Sequence, residues 1–122
     1  MAYDSENIFA KILRGEIPCD KVFENEHALA FRDIQPQAPV HVLVIPKGAY
    51  VNMDDFSASA SDSEIAGFTR AVGQVSRDLG VVDAGFRTIA NNGLHAHQEV
   101  QHLHVHILAG RDLGSMLKRF TD

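Results

Sequence analysis

Three histidines alternate with aliphatic residues in His102-Leu103-His104-Val105-His106-Ile107-Leu108. Successive side chains of a strand point to opposite faces, so this spacing groups the three imidazoles and sets Leu103, Val105 and Ile107 opposite them. The aliphatic face suits a core. Imidazole is neither a good core residue nor a usual surface filler, and it titrates near neutral pH, so the other face points to chemistry. His41, on a second strand candidate, adds a fourth imidazole to the set. In one reading, imidazoles on alternate strand residues and His41 ligate zinc. In the other, one imidazole attacks an electrophile while its neighbours hold its tautomer and protonate the leaving group. Spacing alone leaves these open, beside a purely structural role.

Composition narrows the substrate. The 122 residues suit one domain, taken as 1–122, with 45% hydrophobic and 22% charged residues as in soluble globular proteins. The net charge of −5 argues against a nucleic-acid groove or a membrane-surface patch, both of which need clustered Lys and Arg. A small phosphate ester remains possible where backbone N–H groups supply positive potential. The single Cys19 excludes an intramolecular disulfide and a Cys-based zinc knuckle. The polar start (Asp4, Ser5, Glu6) does not read as a secretory signal, and no apolar run approaches the roughly 20 residues of a membrane span. The expected location is cytoplasmic.

The elements that must position the histidines follow in order. Residues 5–14 read as a short helix with Ser5 as N-cap, Ile8, Phe9, Ile12 and Leu13 on one face, and Gly15 as terminator. Residues 21–24 and 28–33 read as strands joined by a turn at Asn25-Glu26, with Ala28, Ala30 and Arg32 facing one way and Leu29, Phe31 and Asp33 the other. A proline-set loop over 35–39 leads into a strand from His41 to Ile45. After a Ser/Asp-rich loop, Ser61-Asp62-Ser63-Glu64 has capping-box spacing and opens a helix carrying Ile65, Phe68, Val72, Val75 and Leu79 up to Gly80. Gly67 and Gly73 inside that helix suggest close helix–sheet approach. A strand from Phe86 to Ala90, a loop through Asn91-Asn92-Gly93 to Val100, and the histidine strand complete the series. The order favours an α+β fold with an antiparallel sheet of about five strands, one long helix and one short one.

The histidine stretch fits the His-φ-His-φ-His-φ-φ motif (φ apolar), and the chain resembles the histidine triad superfamily well beyond it. Ile8-Phe9-Ala10-Lys11-Ile12, Gly15-Glu16-Ile17-Pro18, Ala30-Phe31-Arg32-Asp33-Ile34, Pro36-Gln37-Ala38-Pro39 with His41, Val44-Ile45-Pro46-Lys47, Asn91, Gly93 and Gln98 all resemble the same family. The likeness is to its nucleotide-binding branch, the purine nucleoside phosphoramidases. It implies that His104 attacks the α-phosphorus of an adenosine or guanosine 5′-phosphoramidate, releasing the amine, and that water then hydrolyses the nucleotidyl-histidine. His102, His106 and His41 would orient and handle protons, with His106 on the phosphate and His41 near the nucleophile. Asp33 resembles the acidic residue that binds both ribose hydroxyls. Ile34, Ile8, Phe9 and Phe31 would line the purine slot, and Asn91 with Gln98-Glu99-Val100 would meet the phosphate. The ligand expected is a purine nucleoside monophosphate or phosphoramidate.

The resemblance further implies the histidine triad fold and a homodimer whose sheets join across a two-fold axis. Ile65, Phe68, Val72 and Val75 look too apolar for one small sheet to cover, which agrees with a dimer. Asn7 and Ala10 stand where some relatives carry zinc-binding cysteines, so no metal and no cofactor are expected. His97 stands where Gly is usual, and Glu99 where Ser or Thr is common; His95 and His97 are expected as exposed loop residues, with His97 the one within reach of the substrate. A carboxylate facing a phosphate is repelled, so Glu99 should offer its backbone N–H instead. With no Trp in the chain, only Phe120 can approximate the C-terminal aromatic of the branch. A dinucleoside polyphosphate hydrolase is the nearest rival. Those relatives usually follow the triad with Pro-Arg, whereas Ala109-Gly110-Arg111 resembles the Gly-Gly-Arg of the phosphoramidases. A nucleotide-binding interaction module with little catalysis is the alternative of another class, and a zinc module ranks below both.

Overall fold

The computed structural model describes residues 2–121. Asn7, rather than Ser5, caps the first helix: its side chain accepts the Ala10 N–H (2.9 Å), and α1 runs over Ile8–Leu13. Asp4 explains the shift, because its carboxylate takes the Glu6 N–H and its carbonyl the Asn7 N–H, holding 4–7 in a turn. The strands β1 (Lys21–Glu24), β2 (Ala28–Arg32) and β3 (Val40–Pro46) follow. A helix then occupies the segment expected as a Ser/Asp-rich loop, α2 (Met53–Ser59). Asn52 and Asp55 cap each other reciprocally there, and the buried Phe56 anchors the turn to the core. The long helix α3 (Asp62–Asp78) starts at the expected Ser61–Glu64 capping box. The short β4 (Arg87–Ile89) and β5 (Val105–Ala109) end the series.

Among the described residues all four strand pairings are antiparallel, in the order β1-β2-β3-β5-β4, and with five strands and three helices there the fold is α+β. β3 lies at the centre and is covered on both faces. Val42 and Val44 face α3 and meet Phe68, Ala71 and Val75, together with Ala28, Ala30, Leu103, Val105 and Ile107. Leu43 and Ile45 face the other way, joining Leu29, Phe31 and, from α1, Phe9. Burying Phe68 and Val75 stabilises the fold by about 1.5–3 kcal/mol each. Those two are fully covered by this chain's own sheet, and Ile65 and Val72 are half-buried, so the α3 face makes no demand for a partner.

The histidine stretch enters the sheet later than its alternation suggests. The ladder begins at Val105, and the Leu103 N–H is taken instead by the Tyr50 carbonyl (2.8 Å). The alternation survives outside the ladder: Leu103, Val105 and Ile107 lie in the α3-side core. His106 sits opposite Leu43, on the α1 side.

The two helical glycines have different causes. A Cβ on Gly67 would stand 2.7 Å from His27 Cδ2, because the β1–β2 turn lies against α3, with Asn25 Nδ2 donating to the Gly67 carbonyl (3.1 Å). The approach is helix to turn rather than helix to sheet. A Cβ on Gly73 would meet only the guanidinium of Arg77 in its own helix, at 3.3 Å. Gly67→Ala is therefore expected to destabilise by about 1–2 kcal/mol through overpacking. Gly73→Ala, relieved by movement of Arg77, should stabilise by about 0.5–1 kcal/mol through helix propensity. Urea unfolding midpoints measure both, and equal shifts of the same sign would contradict the assignment.

Candidate active site

A carbonyl oxygen can only accept, and this settles which imidazole nitrogens carry protons. His104 Nδ1 lies 2.7 Å from the His102 carbonyl, so Nδ1 bears the proton and the Nε2 lone pair is free. His102 Nε2 lies 2.9 Å from the Pro46 carbonyl, so it donates, and His102 Nδ1 accepts from the Tyr3 hydroxyl at 2.6 Å. His41 Nδ1 accepts the Gln37 backbone N–H (3.0 Å), which leaves the His41 proton on Nε2. That nitrogen faces His106 Nδ1 at 2.9 Å and Asp33 Oδ2 at 3.4 Å. His106 then carries its own proton on Nε2. Four imidazoles thus hold defined tautomers, each set by a partner from another stretch of chain or by a main-chain carbonyl.

Burial keeps them neutral. Desolvation disfavours imidazolium, and it pushes His102 and His106 down to about 4. For His106 the neighbouring His104 and His41 add to the effect. Desolvation also lowers His104, against the pull of the His102 carbonyl and of Asp33 and Glu99, and lowers His41 against Asp33. A neutral His104 with a bare Nε2 is a nucleophile at pH 7.

A cleft of about 520 Å³ opens on the α1 side of the sheet, within the usual size of small-molecule sites. Ile8, Phe9, Phe31 and Ile34 give it apolar walls, Asp33 lies beside them, and Asn91, His97, Glu99, His104 and His106 line it as well. Phe9 stands edge-on to His104, with ring centroids 4.9 Å apart, and to Phe31 at 5.6 Å. Ile34 is 90% exposed, whereas Phe9 and Phe31 are core residues that show an edge to the cleft. His97 adopts φ +59°, the only positive φ of a non-glycine among the described residues. Asp33 closes the turn before Pro36, accepting the Gln35 N–H on Oδ1 (2.8 Å).

Three of the predicted residues stand behind the cleft instead of lining it. His41 and His102 are buried supports of the rings in front. The Gln98 side chain is occupied by the loop: Oε1 takes the Gly93 N–H and Nε2 gives to the Val51 and Val100 carbonyls. It holds the 93–100 loop in shape, and its amide is not presented to a ligand. Among the described residues, the N–H groups of Glu99 and Val100 have no protein acceptor. Tyr3, Gln37 and the Pro46 carbonyl are the groups that sequence reasoning missed. Tyr3 lies 99 positions from its partner, and the other two act through the main chain, so no residue pattern signals them.

Asp33, His41 and His106 are also the one cluster among the described residues whose donor atoms converge closely enough for a metal ion. The hydrogen bonds argue for another use. The two nitrogens oppose each other along a 2.9 Å hydrogen bond, and the Gln37 N–H leaves His41 Nε2 protonated, where a metal ligand must present a lone pair.

Comparison with known proteins places this geometry. The HIT domain family matches residues 14–113. A curated relative from Azospirillum brasilense, an uncharacterised 13.2 kDa HIT-like protein, is 63% identical over 117 residues, covering 96% of each chain. The purine nucleoside phosphoramidase of Escherichia coli K12 is 41% identical over 112 residues, covering 92% of this chain and 93% of that one. Among solved structures, a histidine triad protein from Clostridium difficile superposes with a TM-score of 0.81 at 39% identity, covering 93% of this chain and 98% of that one. A histidine triad nucleotide-binding protein from Candida albicans gives 0.80 at 31% identity, with 96% and 86% covered.

The buried neutral imidazoles carry a pH signature. Unfolded histidines bind protons from about pH 6.5 downward. Folded His102 and His106 resist until about 4. The unfolded state therefore holds more protons between these values, and stability, complete above pH 6.5, is lost as pH falls toward 4. Denaturant midpoints should drop between pH 7 and pH 5, with an uptake of about two protons on unfolding at pH 5 from these two residues. A flat profile over that window would contradict the assigned protonation states.

Proposed function

The chain belongs to the HIT domain family, and we propose that within it this protein is a purine nucleoside phosphoramidase. One observation carries the reading: His104 shows the cleft an imidazole whose proton is pinned on Nδ1, leaving the Nε2 lone pair for attack. Attack on the α-phosphorus forms a P–N bond to His104 and breaks the bond to the leaving amine, which departs with a proton drawn from the solvent-connected cleft. Water then displaces His104 from phosphorus, releasing the nucleoside monophosphate and restoring the lone pair. His106 offers its Nε2–H to a phosphoryl oxygen, and His41, held by Gln37 and facing Asp33, keeps His106 in that tautomer.

The same reading orders the rest of the cleft. The base lies between Ile8, Phe9, Phe31 and Ile34, whose apolar side chains suit adenine and guanine alike. Asp33 takes the ribose hydroxyls. The Glu99 and Val100 N–H groups and Asn91 take phosphate oxygens. No metal or cofactor has a part in either step, so a chelator should leave turnover intact. We further propose a single-domain cytoplasmic protein, with no role on nucleic acid or membrane, that works as a homodimer. Support for the dimer comes from the edge position of β4, which offers its outer backbone groups for pairing beside the part-exposed Phe86. Light scattering at micromolar concentration should return about twice the 13.4 kDa chain mass, and a monomer would count against this part.

Incubation with adenosine 5′-phosphoramidate should yield AMP and a transient nucleotidyl adduct on His104, seen by mass spectrometry. His104→Ala should cut turnover by about a thousandfold or more while sparing nucleotide binding. Unchanged turnover in that variant rules out the nucleophile. Faster cleavage of a diadenosine polyphosphate than of the phosphoramidate would favour the polyphosphate hydrolase. Binding without turnover of either would favour the interaction module.

A further inference from the structure

The N-terminal segment contains one residue that its polar surroundings do not explain. Ala2, Asp4, Ser5 and Glu6 are exposed, whereas Tyr3 is half-buried, with its ring edge-on to His102 at 5.6 Å and its hydroxyl 2.6 Å from His102 Nδ1. An apolar anchor for the chain end would need only a phenyl ring. The hydroxyl is therefore the informative part.

His102 shows why. It is fully buried, and its Nε2–H is already given to the Pro46 carbonyl, so Nδ1 needs a donor that water cannot supply. Tyr3 is the donor present. Every buried side-chain nitrogen and oxygen among the described residues has a partner, and for His102 Nδ1 that depends on this hydroxyl. The main chain of the same residue carries the carbonyl that holds His104 Nδ1–H. Ring and carbonyl are joined through one Cα. A ring clamped at both nitrogens fixes where that carbonyl points.

We infer that Tyr3 is a positioning residue: by donating to His102 Nδ1 it locks the ring and the carbonyl that keep His104 in its attacking tautomer. The inference rests on the proposed role of His104 as nucleophile. Removing the hydroxyl leaves a buried acceptor unpaired, which the folded chain tolerates poorly. His102 can escape that cost by turning its ring, which breaks the hold of the Pro46 carbonyl and shifts the carbonyl that holds His104. A histidine released in this way shares its proton between both nitrogens, so part of the population lacks the Nε2 lone pair.

The test uses Tyr3→Phe in the full chain, which keeps the ring and its apolar contacts. Turnover of adenosine 5′-phosphoramidate should fall about five- to tenfold in kcat, with KM within about twofold. Imidazole ¹⁵N shifts should change from one tautomer each for His102 and His104 in the parent to a mixture in the variant. Both changes are required. Unchanged kcat overturns the inference, as does a lower kcat with unaltered tautomers or one that follows only a smaller folded fraction in urea titrations. If the parent chain fails to cleave the phosphoramidate, the proposed activity falls by itself. The ¹⁵N comparison then decides about Tyr3 alone, and single tautomers retained in the variant would refute the lock.

Discussion

The hydrogen bond from His104 Nδ1 to the His102 carbonyl is the constraint on which the site depends. Neutral imidazole has one proton and one lone pair, and the proposed attack needs the lone pair on the cleft side. Burial prevents the ring from charging, and the carbonyl prevents it from choosing the other tautomer. Each supporting ring solves the same problem with its own partner: Pro46 for His102, Gln37 for His41, and His41 for His106. Buried polar groups without partners are costly, so a network of this kind is stable only when complete. Completeness is what makes the site rigid.

The sheet supplies the rigidity at its other end. β3 carries His41 and is sandwiched between two apolar clusters, while β5 carries His106 and pairs directly with β3. The histidine face is thus the back of a core strand. α3 covers one side of β1, β2, β3 and β5, which leaves the α1 side to form the cleft, with only a six-residue helix partly closing it. A core on one face and a polar site on the other is the natural use of a strand whose residues alternate in character.

Much of this was legible in the residues. The alternation of His102–Leu108, the capping box at Ser61–Glu64, and the two-faced pattern of residues 28–33 all express local rules, and the structure follows them. The misreadings share a cause as well. Asn7 displaced Ser5 because Asp4 built a turn in front of it, and α2 formed in a polar stretch because Asn52 and Asp55 cap each other and Phe56 reaches the core. Both depend on side chains competing for the same backbone donors, which composition does not report. Gln98 was read as a ligand contact but is a loop strut, a distinction made only by what surrounds its amide.

By itself, then, the sequence determined the family, the fold class and the set of histidines, because alternation, capping and motif order are properties of neighbouring residues. Tertiary structure alone decided which nitrogen of each histidine is bare. That choice belongs to Tyr3, Gln37, Pro46 and the His102 carbonyl, two of which, Tyr3 and Pro46, lie far from their partner along the chain. A tautomer is set by whichever donor or acceptor lies within about 3 Å, and only the folded chain brings those groups that close.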